Sequence, residues 1–556
     1  MSGETHGPAT VEERPRQLLV FCDGTNNTLT GRKTDTNVLQ LYEHVARTQD
    51  DRQTLYYDPG VGSPDVLPGI DAWEYVVRKW ERISGLAAGR GVFENVGEAY
   101  AFLAREYRPG DQIFLFGFSR GAFTARSVAG MIHLFGIIRP ESAALIPTLL
   151  RVYFAPKPSE GRTDVKYLRG GVAGQIRDSF TSAAGHDASV RFVGVWDTVA
   201  TVGLPPFDLR ISSKATIKGK RFEHVRHALS LDEHRALFQP RLYSDLNEGD
   251  EHAAQSLRQL WFRGVHCDVG GGYPTRASAL SDDALTWMFE EATKCGLRCH
   301  EALAPKPATR LGHDPMHENA LWALAGMTLR DTTQAVGTED GDSEKVDPVA
   351  HPSAAAPPPK SVWDDGAGMG WTLAAIAAAI AAAVASGLCL LPARGPGAGV
   401  ADLPHRAWEA LRAGGSLAWT QTSALWHPSA LSSDLSTAAA RAVRHAIELD
   451  FLFIAAYGWL LARLVSRSFA RLAGWRNVSD PVPHVARLGM ALPFLLGCDV
   501  LENLLGLLAG SARANGAGPW LAVIGGLASC GKWLGLLGCV ALVVLGLARG
   551  RRTPAS

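Results

Sequence analysis

The pentapeptide GFSRG at residues 117–121 constrains the fold more than any other part of this sequence. It matches the pattern G-x-S-x-G, and its flanks matter more than the match. An apolar run at 112–116 precedes it, and small residues at helical spacing follow it. A strand, a sharp turn and a helix in this order predict a nucleophile elbow, where close packing requires glycine and Ser119 projects from the carboxyl end of a sheet. An ordinary turn that holds a solvated serine is the alternative.

Short apolar runs alternate with helical patterns from residue 17 to about 330. This alternation predicts an α/β fold of the α/β-hydrolase type, with a mainly parallel sheet and helices on both faces. The apolar runs are nearly continuous, as expected for strands that are covered on both faces. The predicted strands are Gln17–Cys22, Thr54–Tyr57, Gln112–Phe118, Val190–Trp196 and Gln259–Val265, and the predicted helices are Thr36–Arg47, Phe93–Tyr107 and Arg120–Phe135.

Two polar residues follow other predicted strands and complete a candidate catalytic set. A serine nucleophile needs a base, and the base needs an acid to orient it. Asp197 directly follows the fourth predicted strand, and His266 follows the fifth, on a glycine-rich segment that we expect to be a mobile loop. The order Ser119, Asp197, His266 is the order expected along an α/β-hydrolase chain.

The residues leave alternatives for the base and the acid. His234 lies in a second polar cluster, DEHR at 232–235, which is equally typical of a helix N-terminus. Asp232 and Asp268 are alternative acids, or else support the site.

The oxyanion hole is expected to use backbone N–H groups of Gly24, Thr25 and Arg120. The first two lie in the segment FCDGTNN, which follows the first predicted strand. Asp23 in that segment is expected to organise the loop or hold a cation. A D-x-D phosphotransferase motif is not formed, because position 21 is Phe. The proposed chemistry requires no metal and no organic cofactor.

Charge and cysteine usage exclude some classes of protein. Lys plus Arg and Asp plus Glu each number 55, so no global field favours nucleic acid as a partner. The eight cysteines form no CxxC pair, which favours free thiols in a reducing compartment. The polar first 16 residues predict a disordered tail without a cleavable secretory signal.

The remaining chain is predicted to divide at composition changes. Residues 17–335 form the expected catalytic domain, and the acidic, Pro-rich 336–369 form a linker. An all-α membrane region is expected at 370–550, followed by a tail at 551–556. Its four candidate transmembrane helices are 371–391, 446–464, 488–510 and 519–547.

Charges in and beside these candidate spans give further expectations. Arginines crowd the link between the second and third spans and follow the fourth, so the catalytic domain is expected on the cytoplasmic side of a multi-pass membrane protein. Lys532 is expected to pair with Asp499 or Glu502, because unpaired charges within a bilayer are unfavourable. Helices lying flat at the membrane interface are the alternative.

Seven segments together resemble the bacterial family of α/β hydrolases typified by type VI secretion phospholipase effectors. They occur in the family's order across residues 17–330. The resemblance implies a Ser-Asp-His esterase that acts on acyl esters, which are phospholipids in characterised members. By motif position the nucleophile is Ser119, the acid Asp197 and the base His266. The segments are FCDGTNNT, TNVLQLYEHV, YYDPGVG, GFSRGAFTAR, VGVWDTV, LDEHRALFQP and FRGVHCDVGGGYP.

The resulting expectation is a membrane-associated phospholipase or lipid esterase, with a phospholipid or other acyl ester as substrate. One alternative is a membrane-anchored esterase for soluble esters. Another is a membrane-perturbing interaction protein with a vestigial hydrolase domain. Delivery to a target cell, with a secretion-spike or immunity protein as partner, is an open alternative for localisation.

Overall fold

The structure is a computed structural model of the chain, and it describes most of the first 300 residues and parts of the rest. The described residues are 15–24, 35–60, 86–155, 163–199, 221–243, 256–274, 278–303, 312–315, 320–330, 332, 336–337, 343–344, 349–350, 451, 454, 457–469, 472, 488–511 and 518–550.

A seven-stranded sheet with the order β2-β1-β3-β4-β5-β6-β9 forms the centre of the molecule. Every neighbouring pair in it is parallel, so the carboxyl ends of its strands lie along one edge. The predicted α/β fold is therefore confirmed. The strands are β1 Gln17–Cys22, β2 Gln53–Asp58, β3 Gln112–Phe118, β4 Val190–Trp196, β5 Phe222–Ser230, β6 Ser256–Phe262 and β9 Val349–Ala350, and a separate antiparallel pair consists of β7 Val336–Gly337 and β8 Ser343–Glu344.

Helices cover both faces of the sheet, as predicted. Successive residues of a strand point to opposite faces. Thus Leu18 and Val20 pack under the helices within residues 86–180, whereas Leu19 and Phe21 pack under the helices at 37–48 and 279–294. The helices are α1 Asn37–Thr48, α2 Leu86–Glu106, α3 Arg120–Phe135, α4 Ile146–Phe154, α5 Thr163–Phe180, α6 Ala183–His186, α7 His266–Gly270, α8 Ala279–Lys294, α9 Ala491–Ser511 and α10 Gly518–Gly550.

The strand predictions failed where a strand carries charge. β1, β3 and β4 have the predicted bounds, but β5 was missed and β6 begins and ends three residues earlier than predicted. The sequence of β5, FEHVRHALS, lacks an apolar run and so was not recognised as a buried strand. Its Arg226 is nevertheless buried, because the guanidinium is paired with Glu291 at 2.6 Å. The predicted strand has the same length as β6 but is shifted, because it included Val265, which follows a turn at Gly264 with a φ of 102°.

The C-terminal helices pack against the segment at 323–329. Helices α9 and α10 share a buried cluster with Ala323, Met327 and Leu329. Within this pair Lys532 Nζ lies 2.5 Å from Asp499 Oδ1, which confirms the predicted pairing for Asp499. The segment predicted as a linker contributes β7, β8 and β9, and β9 extends the sheet beside β6.

The predicted membrane spans are unsupported. In the described residues no helix combines the length and apolar character needed to cross a bilayer. The candidate span 371–391 lies outside the described residues, and 446–464 is described only in part. Helices α9 and α10 overlap the candidates 488–510 and 519–547, but part of their apolar surface forms the core that they share with residues 323–329. The predicted multi-pass topology is unsupported for the same reason.

Candidate active site

Ser119 occupies a strained turn between β3 and α3. Its φ of 57° and ψ of −119° lie outside the regions that a residue with a Cβ normally adopts. The flanking glycines allow the turn to pack. A Cβ on Gly117 would overlap the carbonyl oxygen of Gly121, and one on Gly121 would overlap the carbonyl oxygen of Cys22. The predicted strand–turn–helix geometry at the GFSRG motif is therefore present.

Asp197 lies on the neighbouring strand end and is fully buried. It directly follows β4, and its φ of 40° is also in the left-handed region. Ser119 and Asp197 are the two non-glycine residues with positive φ in the part of the chain that the structure describes. Strain of this kind persists where surrounding contacts enforce it, and it is concentrated at functional sites.

His266 contacts Asp197 directly. Its Nδ1 lies 2.5 Å from Asp197 Oδ2, and its ring packs 4.6 Å from that of Phe118 and 5.0 Å from that of Phe238, measured between centroids. The expected mobile loop is wrong. His266 is the first residue of α7 and only 3% exposed, because aromatic rings and Asp197 enclose its imidazole.

The sheet register brings the three residues to one place. Phe118 of β3 is paired with Trp196 of β4, and the N–H of Ser119 donates to the carbonyl of Trp196 at 3.1 Å. Ser119 and Asp197 therefore follow adjacent parallel strands at the same edge. The contacts of His266 with Asp197 and Phe118 place its imidazole at that edge as well.

The electrostatics of the pair favour an ionised acid and a neutral base. Burial opposes ionisation of Asp197, but Arg330 and His266 hold its pKa well below the usual range. Burial lowers the pKa of His266, opposed by Asp197 and assisted by Arg235. Because an ionised carboxylate only accepts hydrogen bonds, Nδ1 of His266 carries the proton that bonds to Asp197. Nε2 is then left with a lone pair.

Arg330 is the largest contributor that the sequence reasoning missed. Its guanidinium is fully buried and bonds both carboxylate oxygens of Asp197, at 2.5 and 2.9 Å. Asp197 also accepts bonds from the N–H and Oγ of Ser230, at 3.0 and 3.1 Å. No local motif marks either residue, since Arg330 is separated from Asp197 by 133 positions.

Glu233 was also missed as a site residue. It accepts the backbone N–H of His266 at 3.2 Å and pairs with Arg235 at 2.7 Å. Burial raises the pKa of Glu233, but Arg235 more than offsets this and lowers it to about 2. An ionised Glu233 thus holds the first turn of α7, which carries His266.

The alternative residues have other partners. Asp232 accepts bonds from Arg263 and from the N–H of Gly264, at 3.0 and 2.7 Å. The ring of His234 lies 5.7 Å from that of Phe469, on the side of the C-terminal helices.

Asp268 is bound to a second histidine. Its Oδ1 lies 2.6 Å from His313 Nδ1, and its Oδ2 accepts the N–H of Val265 at 3.0 Å. The ring of His313 in turn stacks on Tyr273. Asp268 is itself part of α7, where it caps the first turn through Val265 and ties the helix to His313.

The expected oxyanion donors are described only in part. The N–H of Gly24 donates to Asp23 Oδ1 at 2.6 Å, and Thr25 lies outside the described residues. Asp23 also accepts bonds from Thr36 and Tyr57, which fits the expected role in organising this loop. Arg120 is the first residue of α3, where N–H groups lack partners within the helix.

Comparisons with known proteins give one family and two similar chains. The model of the family "T6SS, Phospholipase effector Tle1-like, catalytic domain" matches residues 16–291. The uncharacterized protein YEL023C of Saccharomyces cerevisiae is 30% identical over 236 residues, which cover 42% of this chain and 33% of that protein. The chain thus matches about a third of the length of this curated relative. A crystal structure of an uncharacterized protein from Pseudomonas aeruginosa aligns with 17% identity over 83% of this chain and 68% of that one, with a TM-score of 0.28.

Proposed function

Residues 16–291 belong to the T6SS phospholipase effector Tle1-like catalytic-domain family, and from this premise we propose that the chain is a serine hydrolase that cleaves acyl esters of phospholipids. Ser119 is the nucleophile, His266 the general base and Asp197 the acid that orients it. One observation carries the proposal. The 2.5 Å contact of His266 with Asp197 lies at the same sheet edge as the strained turn of Ser119.

The first half-reaction forms an acyl-enzyme. Nε2 of His266 takes the hydroxyl proton of Ser119 as the oxygen attacks the ester carbonyl. Asp197 accepts the hydrogen bond from Nδ1 and stabilises the imidazolium that forms. The imidazolium then protonates the departing alcohol. The low pKa of Asp197 supports this role, because the carboxylate stays ionised while the proton moves.

The second half-reaction releases the fatty acid. Water replaces the alcohol beside His266, loses a proton to Nε2 and attacks the acyl-enzyme carbonyl. The bond between Ser119 and the acyl group then breaks, and the imidazolium returns the proton to the Ser119 oxygen as the fatty acid leaves. In both steps the negative oxygen needs donors that are already in place. We assign the N–H of Arg120 to this role, aided by the positive end of the α3 dipole. The N–H of Gly24 donates to Asp23, so it would have to break that hydrogen bond before it could donate to the negative oxygen. Thr25 remains a candidate donor from the sequence.

Release of fatty acid from mixed phospholipid vesicles tests the proposal. The wild-type chain is compared with Ser119→Ala and with Ser127→Ala, a matched change at a buried serine within α3. We expect release by the wild type and by Ser127→Ala, and a loss of at least about 10³-fold in Ser119→Ala. Release that survives in Ser119→Ala contradicts the proposed nucleophile. Cleavage of short-chain soluble esters without release from vesicles would reject the lipid substrate and keep the esterase chemistry.

The family match also supports a place of action. Its members are described as type VI secretion effectors, and we propose that this chain acts after delivery to a target cell. Transfer of a tagged Ser119→Ala chain from donor to recipient cells should require a functional secretion apparatus in the donor. Equal transfer from a donor that lacks the apparatus would reject this route.

A further inference from the structure

A buried arginine outside the family match binds the acid of the proposed active site. Arg330 bonds both oxygens of Asp197 and also donates to the carbonyl oxygens of Ser230 and Phe238, at 2.6 and 2.5 Å. These acceptors together fix both the place and the orientation of the Arg330 guanidinium. It therefore fixes the plane of the Asp197 carboxylate, since a forked pair constrains both oxygens.

The segment that carries Arg330 is held from two sides. On the catalytic side, the N–H of Thr328 donates to the carbonyl of His234 at 2.9 Å, and the N–H of Ala236 donates to that of Gly326 at 3.1 Å. On the other side, the N–H of Met327 donates to the carbonyl of Gly489 at 3.0 Å. Met327 and Leu329 belong to the same buried cluster as Leu492 and Leu495 of α9. The segment is thus packed between the catalytic region and the C-terminal helices.

We propose that Arg330 is a positioning residue of the active site and that the C-terminal helices hold it against Asp197. The site is then completed by a part of the chain beyond residue 291, where the family match ends. This inference rests on the proposed function for its consequence in catalysis, but not for the electrostatic effect on His266.

The electrostatic effect follows from sharing one carboxylate between two cations. While Arg330 neutralises Asp197, protonation of His266 gains less from that carboxylate, and the imidazole stays neutral. Without Arg330, a buried carboxylate would have the imidazolium as its nearest counter-cation, so the pKa of His266 should rise. Two charged residues in the segment after β5 also act on His266. Arg235 opposes its protonation and Glu233 favours it, and Arg235 and Glu233 are paired with each other. His227 of β5 also interacts with Asp197 and Arg330, but it is neutral because burial and Arg126 lower its pKa to about 3.

Two substitutions of Arg330 test this effect, with a matched control. Arg330→Met removes the charge and the fork, and Arg330→Lys keeps the charge but loses the fork. Arg226→Met is the control, because Arg226 is also buried and paired with a buried carboxylate, that of Glu291, nearer the opposite edge of the sheet. The pKa of His266 is measured by NMR titration on chains with labelled histidine, and His266→Gln assigns the signal. Hydrolysis of phospholipid is measured in parallel as a function of pH.

We expect Arg330→Met to raise the pKa of His266 by about one unit or more and to shift the acid limb of kcat/KM to higher pH by the same amount. The loss in kcat should be about 10²-fold or more, with a smaller loss and shift in Arg330→Lys. Arg226→Met should lower thermal stability and leave the pKa of His266 and the pH profile unchanged. Equal pKa values of His266 in wild type, Arg330→Met and Arg330→Lys would overturn the inference, whether or not the wild type is active.

A glycine pair tests the part played by the C-terminal helices. A Cβ on Gly489 would overlap the carbonyl oxygen of Met327, so Gly489→Ala should push the segment and displace Arg330. Gly531→Ala is the control, because the added Cβ would crowd the Sγ of Cys498 at 2.7 Å, and Cys498 is not among the residues of the buried cluster that contains Met327 and Leu329. We expect Gly489→Ala to shift the pKa of His266 upward and Gly531→Ala to leave it unchanged. A shift of equal size in both variants, or in neither, would overturn the coupling.

The two proposals can fail separately. If the wild type releases no fatty acid but Arg330→Met raises the pKa of His266, the proposed function fails and the inference about the site stands. If the wild type is active through Ser119 but Arg330→Met behaves like Arg226→Met in every measurement, the proposed function stands and the inference fails.

Discussion

The two edges of the central sheet both bury polar side chains, but in different ways. At the amino edge, Gln17, Gln53 and Gln112 begin β1, β2 and β3, and their amides bond one another at 3.0 and 3.2 Å. These groups are neutral and lie in ordinary strand backbone. At the carboxyl edge, Ser119 and Asp197 have positive φ, and carboxylates face arginines and a histidine.

This difference distinguishes stabilising polar groups from functional ones. Amides that satisfy each other in relaxed strands hold neighbouring strands in register and need no strain. Strained backbone is unfavourable by itself, so it persists only where other contacts enforce it, and displaced pKa values are concentrated at functional sites. Burial alone does not separate the two edges, because Gln17 and Asp197 are both fully buried.

Replacing a carboxylate at each edge should produce the largest contrast. Asp197→Asn removes the charge that orients His266, and we expect kcat to fall by about 10⁴-fold, as for loss of the acid in known serine hydrolases with this triad. Asp111→Asn at the amino edge weakens the pair with Arg16, and kcat should stay within about twofold. Steady-state kinetics on phospholipid micelles measure both. A similar fall in both variants would mean that the contrast reflects general damage to the fold.

The lowered pKa of His266 should affect activity less than the loss of Asp197 does, through the pH dependence of kcat/KM. Burial lowers its pKa below the usual value of about 6.5, so the imidazole stays neutral and able to accept a proton in mildly acidic solution. As pH falls through the lowered pKa, His266 gains a proton and activity is lost, about tenfold for each further pH unit. The pH profile of kcat/KM should therefore have an acid limb centred below 6.5. A midpoint above that value would contradict the neutral, buried histidine.

The amino edge should show the smallest effect on activity and a measurable effect on stability. Gln17→Ala leaves Gln53 and Gln112 without their shared partner, which should lower the free energy of unfolding by about 1–3 kcal/mol. Values of kcat should be unchanged. Urea unfolding and steady-state kinetics on the same preparation check both. A large loss of kcat with little change in stability would show that the amino edge also contributes to function.

Residues marked by local signals were predictable from the sequence. The apolar runs of β1, β3 and β4 end directly before Asp23, Ser119 and Asp197, so their places at the carboxyl edge follow from the chain alone. The GFSRG motif specifies its own turn, because its glycines are needed for contacts within a few residues and with the neighbouring β1.

Contacts between distant segments were not predictable. Arg330 meets Asp197 across 133 positions and Glu233 meets His266 across 33, and nothing in their neighbouring residues indicates these partners. Strand β5 was missed because its sequence contains a charged residue, Arg226, which is buried in the structure as an ion pair with Glu291. The membrane prediction is unsupported in the described residues, and apolar composition alone does not distinguish a span from helices that share a core, as α9 and α10 do with residues 323–329.

Labelling with a fluorophosphonate would identify an activated serine in this chain. The reagent forms a stable bond with a serine whose hydroxyl is activated by a neighbouring base, and peptide mapping by mass spectrometry identifies that serine. We expect one adduct, at Ser119, formed rapidly in the wild type, slowly in His266→Gln and not at all in Ser119→Ala. An adduct at another serine, or labelling of Ser119 at the same rate with and without His266, would contradict this expectation.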